Sequence, residues 1–266
     1  MDRAHIAQYL GLHPWADKIL VYDEVGSTNT LLKSLGQQGA PHGTVVIADH
    51  QTAGRGRLGR RFQSPGGVGI YLSALIRLQC APSQIMHLTC AVAVAMCDAV
   101  EAACGIRPGI KWINDLVIGT KKLGGILTEL TLDPVTQQVD SAIIGIGINC
   151  RQLEEDFDPS IRHLATSLRL ATRKDVDSSR LAGEMIRSLH RMSQELLTQK
   201  DATMTRYNRD CITIGKQIQV IRGESIRPGQ ALGIDSDGGL IVSYSDGTCE
   251  TVSSGEVSVR GMYGYV

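Results

Sequence analysis

The spacing of apolar and polar positions changes several times along this chain, and each change marks an element. Residues 18–23 alternate and predict a strand. Ser27 then suits the N-cap of a helix running to about residue 37, with Thr28 and Asn29 in its first turn. Residues 44–49 are β-branched and apolar, as in a buried strand, and 68–78 form another. Between them, residues 50–67 are a loop of Gly, Arg, Ser and Pro. From Pro82 to Cys104 the chain is apolar nearly all round, which predicts a long central helix stopped by Gly105. Residues 110–118 and 123–132 read as strands joined by a turn at 119–122, and 139–148 as a further strand. Residues 151–170 have no period, and their acidic cluster (Glu154, Glu155, Asp156, Asp158) fits a solvated loop. Residues 173–200 are amphipathic, with Leu181, Met185, Leu189, Met192 and Leu196 on one face. A short helix at residues 5–10 reads as packing.

The pattern changes near Ile214. Short β runs at 217–221, 230–234, 240–244, 249–252 and 256–259 are separated by Asp-Gly and Ser-Asp-Gly turns. Five short strands predict a small barrel. The preceding part mixes helices with mostly antiparallel-looking strands, an α+β layer arrangement. The expected division is a domain of residues 1–213 and a smaller one of 214–266.

Charge sharpens the picture locally. The chain of 266 residues balances 27 basic against 27 acidic residues. That neutrality argues against non-specific nucleic-acid binding as the main activity. Yet no Asp or Glu occurs from His50 to Cys97, a span holding Arg55, Arg57, Arg60, Arg61 and Arg77. In Gly54-Arg55-Gly56-Arg57-Leu58-Gly59-Arg60-Arg61-Phe62 the glycines allow close backbone approach, and the guanidinium forks suit carboxylate and phosphate. No apolar run approaches the ~18 residues of a membrane span. The N-terminal residues lack the basic-then-apolar order of a signal peptide. Seven cysteines without a C-x-x-C pair argue for buried thiols in a reducing cytoplasm rather than a disulfide framework or zinc site.

Three further clusters put polar residues beside tight turns: Gly26-Ser27-Thr28-Asn29, Lys111-Trp112-Ile113-Asn114-Asp115, and Lys122-Leu123-Gly124-Gly125-Ile126-Leu127. With the arginine loop and Gly145-Ile146-Gly147-Ile148-Asn149, their order along the chain resembles that of biotin protein ligases, from about residue 23 to residue 260. The resemblance implies the ligase catalytic fold, an α+β domain with a mixed, mostly antiparallel sheet, followed by a small SH3-like β-barrel. It implies ATP and biotin as substrates, Mg²⁺, and a biotin carboxyl carrier protein whose lysine is the acceptor. No DNA or membrane partner is expected, and monomer and homodimer stay open.

Site residues carry over by the same resemblance. Ser27, Thr28, Asn29 and Gln51 would contact the biotin head group. Gly54, Arg55, Gly56 and Arg57 would wrap its tail, with Arg55 and Arg57 on the carboxylate and the adenylate phosphate. Lys122, backed by Gly124 and Gly125, would reach the carboxyl end and the phosphate. Arg57, Arg60, Lys111, Asn114, Asp115, Asn149 and Arg260 would serve ATP, Asn149 on adenine and Asn114 and Asp115 on ATP or its metal. Arg57, Lys122 and Lys111 would carry the chemistry, and residues 50–66 would order over the bound ligand. Ile113 stands where many members have proline, and Phe62 where some have tryptophan. The 26 residues before Ser27 are too few for the helix-turn-helix module of the repressor members, so an enzyme without that function is expected. Competing readings are a lipoate or octanoate ligase, a non-catalytic biotin sensor, and a nucleic-acid-binding module. Two Phe and two Trp leave little for base stacking. Gly145-x-Gly147 lacks the third glycine and the following helix of a dinucleotide fold.

Overall fold

The computed structural model describes residues 2–253, the backbone of 257–261 and the Val259 side chain. In chain order it contains α1 (Arg3–Leu10), β1 (Ile19–Val25), α2 (Thr28–Gln37), β2 (Val45–Gln51), β3 (Gly69–Cys80) and α3 (Leu88–Cys104). Next come β4 (Gly109–Lys111), β5 (Asp115–Ile118), β6 (Lys121–Leu132) and β7 (Val139–Asn149). Then follow α4 (Leu168–Thr172), α5 (Ser178–Glu195) and α6 (Lys200–Asp210). The chain closes with β8 (Gln217–Arg222), β9 (Ser225–Ile234), β10 (Leu240–Tyr244), β11 (Cys249–Val252) and β12 (Val257–Gly261).

Seven strands make one mixed sheet in the order β1-β2-β3-β7-β6-β5-β4. Among the described residues, β1–β2 is its parallel pair and every other pairing is antiparallel. β3 and β7 lie at its centre and are buried along almost their whole length. That is why both read as continuous apolar runs rather than alternating ones. α3 and α5 cover one face. Leu181, Met185, Leu189 and Met192 of α5 are buried there, as the sequence period predicts. α2 covers part of the other face over a smaller cluster of Leu32, Val46, Leu75 and Ile143. The remaining five strands, in the order β11-β10-β9-β8-β12, form an all-antiparallel sheet, the expected small SH3-like barrel.

α3 follows a 3₁₀ turn at Pro82–Ile85 and ends at Gly105 in the left-handed conformation, φ 71°. The stretch Pro82–Cys104 is long and apolar enough to cross a membrane, but it is mostly buried as the helix beneath the sheet. Its thiols are inert by burial, which pushes Cys97 up to about 12. Cys249 is an exposed exception among the cysteines.

Three expectations change. Residues 110–118 are not one strand but a hairpin, β4 and β5 folded around Trp112, Ile113 and Asn114. The amphipathic stretch 173–200 stops at Glu195, and α6 follows it. α6 is polar over most of its surface, so hydrophobic period does not mark it. It is held by buried Met204 and Tyr207 and by ion pairs of Arg107 with Asp210 at 2.5 Å and Arg206 with Asp98 at 2.5 Å. In residues 151–170 the acidic cluster is exposed, as expected, but the stretch is not irregular throughout: α4 begins at Leu168, and Gln152, Phe157, Ala165, Thr166 and Ser167 are buried.

Trp15 is fully buried beside three histidines, with ring centroids 5.5 Å from His42 and 5.2 Å from His190, and His13 lies 4.8 Å from His190. Burial lowers the pKa of all three, and Lys18 and Arg187 add to the effect. His42 Nδ1 also accepts from the Arg77 N–H at 3.2 Å, which requires the neutral ring. Because these folded-state values lie below the unfolded one, the stability they protect is complete above about pH 6.5 and is lost as pH falls below it. The thermal midpoint is expected to fall between pH 7.5 and 5.5, and His13→Gln with His190→Gln to flatten that fall. Equal slopes for wild type and variant by calorimetry would remove the cluster as the cause.

Candidate active site

Two adjoining cavities open beside the sheet. The smaller, about 170 Å³, is lined by the α2 N-terminus (Ser27, Thr28, Asn29), by Gln51 at the end of β2, and by Gly125, Gly145 and Gly147 of β6 and β7. The larger, about 710 Å³, is lined by Lys111, Trp112, Asn149 and Gln152, by parts of residues 156–165, and by Val259. Arg57, Arg60, Phe62, Asn114, Asp115 and Lys122 line both, so a cationic wall separates and joins them.

Buried hydrogen bonds order the small cavity. Gln51 Oε1 accepts from the Thr28 backbone N–H at 2.9 Å and from Thr28 Oγ1 at 3.1 Å. Gln51 Nε2 donates to Ser64 Oγ at 2.9 Å, and Ser64 Oγ donates to the Phe62 carbonyl at 3.2 Å. Ser73 Oγ lies 2.6 Å from Asn29 Oδ1 and 2.8 Å from Thr28 Oγ1. Asn29 Nδ2 donates to Glu129 Oε2 at 2.8 Å and to the Leu127 carbonyl at 3.3 Å. These groups keep capacity for a neutral polar ligand: the Ser27 hydroxyl hydrogen, the second Gln51 amide hydrogen and a second Asn29 Oδ1 lone pair.

The arginine loop is a small hairpin. Gly56 N–H donates to the Arg60 carbonyl at 2.7 Å and Phe62 N–H to the Gly54 carbonyl at 2.9 Å. Its turn uses Leu58 at φ 55° and Gly59 at φ 69°, the left-handed region that glycine adopts freely and leucine does not. Arg55 pairs with Glu129 at 3.2 Å. Arg57 donates to Asn114 Oδ1 at 3.1 Å, and Asn114 Nδ2 donates to the Ile126 carbonyl at 2.8 Å. Burial lowers the Arg57 pKa, and nearby Asp115 opposes that shift. Such a guanidinium stays charged, and its charge acts strongly because little water screens it.

Lys122 Nζ pairs with Asp115 Oδ1 at 2.6 Å. The Lys122 backbone is fixed on its second side by residues 164–166: its N–H donates to the Leu164 carbonyl at 2.7 Å and its carbonyl accepts from Thr166 N–H at 2.8 Å. Lys111 ends β4 and is 7% exposed. The Trp112–Ile113 peptide is cis. Trp112 Nε1 donates to the Gly238 carbonyl at 2.8 Å and its N–H to Thr213 Oγ1 at 2.9 Å, tying the hairpin to the barrel.

Most sequence-expected residues thus converge. Gly54 and Gly124 line neither cavity and stand behind the walls. A Cβ on Gly124 would strike the Gly147 carbonyl, and one on Gly54 the Phe62 carbonyl and the Ser64 hydroxyl. The Arg260 side chain lies outside the described residues; its backbone pairs with Gln219. Sequence reasoning missed Ser64, Ser73, Glu129, Gln152 and the 156–165 wall. Ser64 lies in the glycine-rich loop but beyond its arginines, and the others sit in no glycine-rich or strongly patterned motif.

The family model for the biotin/lipoate A/B protein ligase family matches residues 21–149, and that for the biotin protein ligase C-terminal domain matches residues 213–260. The bifunctional ligase/repressor BirA of Bacillus spizizenii is 35% identical over 230 residues, covering 86% of this chain and 70% of that protein. The biotin–[acetyl-CoA-carboxylase] ligase of Mycobacterium tuberculosis is 32% identical over 262 residues, covering 96% and 94%. The solved structure of the biotin protein ligase of Aquifex aeolicus in complex with biotin and ATP superposes with a TM-score of 0.78 at 28% identity, covering 92% of this chain and 99% of that one. Two family models matched one after the other, and relatives above 30% identity covered over 70% and 94% of their length, place this chain in the biotin/lipoate A/B protein ligase family, among the biotin protein ligases.

Proposed function

We infer that this protein is an ATP-dependent, AMP-forming biotin–[acetyl-CoA-carboxylase] ligase. It converts biotin and ATP to biotinyl-5′-AMP and pyrophosphate, then passes the biotinyl group to a lysine of a carboxylase carrier protein. The observation that carries this reading is the cationic wall shared by a small hydrogen-bonding cavity and a larger one.

The chemistry joins two anions. A biotin carboxylate oxygen attacks the α-phosphorus of ATP, the bond to the bridging oxygen breaks, and pyrophosphate leaves. Repulsion between carboxylate and triphosphate must be offset where they meet, which is where Arg57 and Lys122 stand, with Lys111 behind them in the larger cavity. Charge placed in advance stabilises the developing pentacoordinate phosphate without reorganisation. In the second step a lysine amine attacks the anhydride carbonyl, AMP leaves and the amine loses a proton. No protein nucleophile is required. The small cavity suits the biotin ureido ring through Ser27, Thr28, Asn29 and Gln51, with Arg55, Gly56, Arg57 and Gly125 along the tail. Arg60, Lys111, Asn114, Asp115 and Asn149 serve ATP, and we assign Arg260 to it from the barrel. Lipoate's dithiolane ring would leave the buried polar groups of that cavity unpaired, which favours biotin.

Mg²⁺ belongs to this reading as well. Among the described residues no cluster of three acidic or His/Cys ligands exists. Asp115, which pairs with Lys122, lines the larger cavity beside Asn114, and Asp156 and Asp158 line it too; such scattered carboxylates suit an ion held mainly by phosphates and water. Bound there, it would neutralise phosphate charge. We place the work in the cytoplasm and divide it between residues 1–213, which hold both substrates, and the barrel of 214–266.

Incubation with Mg-ATP and either biotin or lipoate tests the assignment by mass spectrometry. Biotinyl-5′-AMP with no lipoyl adduct is expected, and lipoyl-AMP alone would move the protein to the sister ligases. Ser73→Ala removes the hydroxyl behind Thr28 and Asn29. It is expected to raise the KM for biotin roughly tenfold, about the worth of one buried hydrogen bond, with the KM for ATP unchanged. Equal rises in both would show general unfolding of the site. Arg57→Gly opens the wall over the anhydride, which must be kept from water. Release of free adenylate and labelling of unrelated proteins is the expected result. Retention like that of wild type would refute a covering role.

A further inference from the structure

Glu129 lines neither cavity, yet it holds two residues that line the smaller one. On β6 it follows Leu127 by two positions, so both side chains leave the same face of the strand. Leu127 borders the small cavity, and Glu129 is the next residue outward on that face. Its side chain is only 21% exposed. Glu129 Oε2 accepts from Asn29 Nδ2 at 2.8 Å, and Oε1 pairs with Arg55 at 3.2 Å. Asn29 comes from the first turn of α2 and Arg55 from the arginine loop, so one carboxylate joins two separate walls of the cavity.

A carboxylate suits this position and an amide of the same shape does not. Both atoms that face it are nitrogen donors. The Asn29 amide cannot turn over, because its nitrogen also donates to the Leu127 carbonyl at 3.3 Å and its oxygen lies 2.6 Å from Ser73 Oγ. The Arg55 guanidinium has donors and no acceptor. Glutamine at this position would turn its oxygen to one partner and set its own amide hydrogens against the other. Two acceptor oxygens, one for each donor, are what Glu129 supplies.

The bond to Arg55 bears on the loop as a unit. Arg55 bridges Arg61 across the small hairpin, which the Gly56–Arg60 and Gly54–Phe62 backbone bonds close. Holding Arg55 therefore holds the hairpin from which Arg57 and Phe62 border both cavities. Resting on the ligase reading above, we propose that Glu129 is a positioning residue for the reaction, clasping the arginine loop through Arg55 to the Asn29 wall of the head-group cavity. Arg55 then serves to close the loop over the biotinyl group, its charge being offset by Glu129. The charge that faces the reacting anions is left to Arg57 and Lys122.

The test is a double-mutant cycle read by the escape of biotinyl-5′-AMP from preloaded enzyme, beside the KM for each substrate. Glu129→Gln should release adenylate about fivefold faster and raise the KM for biotin by about as much, the upper end for a partly exposed ion pair, while the KM for ATP changes less than about twofold. Arg55→Met should release adenylate faster by a similar factor. The double variant should be no faster than Arg55→Met alone, because two residues that act through one contact do not add and the glutamine oxygen is then free to serve Asn29. Multiplied effects in the double variant would overturn the proposal, as would wild-type retention by Glu129→Gln or equal rises in both KM values. If Glu129→Gln is unstable by thermal melting, Glu129→Asp, which withdraws the carboxylate by one methylene, takes its place in the cycle. Failure of wild type to form biotinyl-5′-AMP would instead remove the ligase reading on which the proposal stands.

Discussion

The site depends on how closely two central strands can bring their backbones to their surroundings. Gly124 and Gly125 of β6 pair across from Ile148 and Gly147 of β7, and Gly145 sits opposite Leu127. A Cβ at Gly145 would collide with the Asn29 amide, one at Gly147 with the Phe62 ring, and one at Gly124 with the Gly147 carbonyl. At Gly125 it would press within 3.4 Å of both Asp115 Oδ1 and Lys122 Nζ. Glycine weakens a strand because it has no side chain to pack and more backbone freedom to lose. The long buried pairing of β7 with β3 on its other side, from Gly69↔Asn149 to Cys80↔Val139, offsets that weakness. The strands thus stay ordered where their surface is bare, and the bare surface is the floor of the small cavity.

Above that floor, order is carried by polar groups rather than by packing. The chain of bonds from Asn29 through Ser73, Thr28, Gln51 and Ser64 ends on the Phe62 carbonyl. Most of its members are almost fully buried, so each must find a partner within the protein. The network therefore links the α2 N-terminus to the far end of the arginine loop. Glu129 makes a second link by accepting from both Asn29 and Arg55. Loop position and head-group pocket are thus set by shared hydrogen bonds, and Phe62 borders both cavities as a result.

Much of this was legible in the chain, because the motifs combine unusual backbone freedom with unusual charge. The arginine loop, Lys111 to Asp115, Lys122 and the Ser27 cap all identify themselves in that way, and the structure brings them around two adjoining cavities. The central strands and α5 were readable from their apolar period. Glu129 and Ser73 were not, since a single polar residue in a strand looks the same whether it faces solvent or a buried amide. α6 escaped because ion pairs of Arg107 and Arg206, made across about 100 residues of sequence, hold it in place of an apolar stripe. In residues 151–170 the exposed acidic cluster was legible, but the burial of Gln152, Phe157 and Thr166 between exposed neighbours follows no period.

Trp112 belongs by sequence to the hairpin that carries Lys111, Asn114 and Asp115, yet its indole N–H is spent on the Gly238 carbonyl of the barrel. Tyr207 of α6 donates to the neighbouring Ile113 carbonyl at 3.1 Å, and Lys200 at the start of α6 pairs with Asp237 at 2.5 Å. The barrel is therefore not an independent module strung behind an enzyme. Swapping in the barrel of a distant relative would have to preserve both the carbonyl that meets the tryptophan edge and the carboxylate that meets Lys200, and natural chimaeras in this fold should inherit hairpin and barrel together.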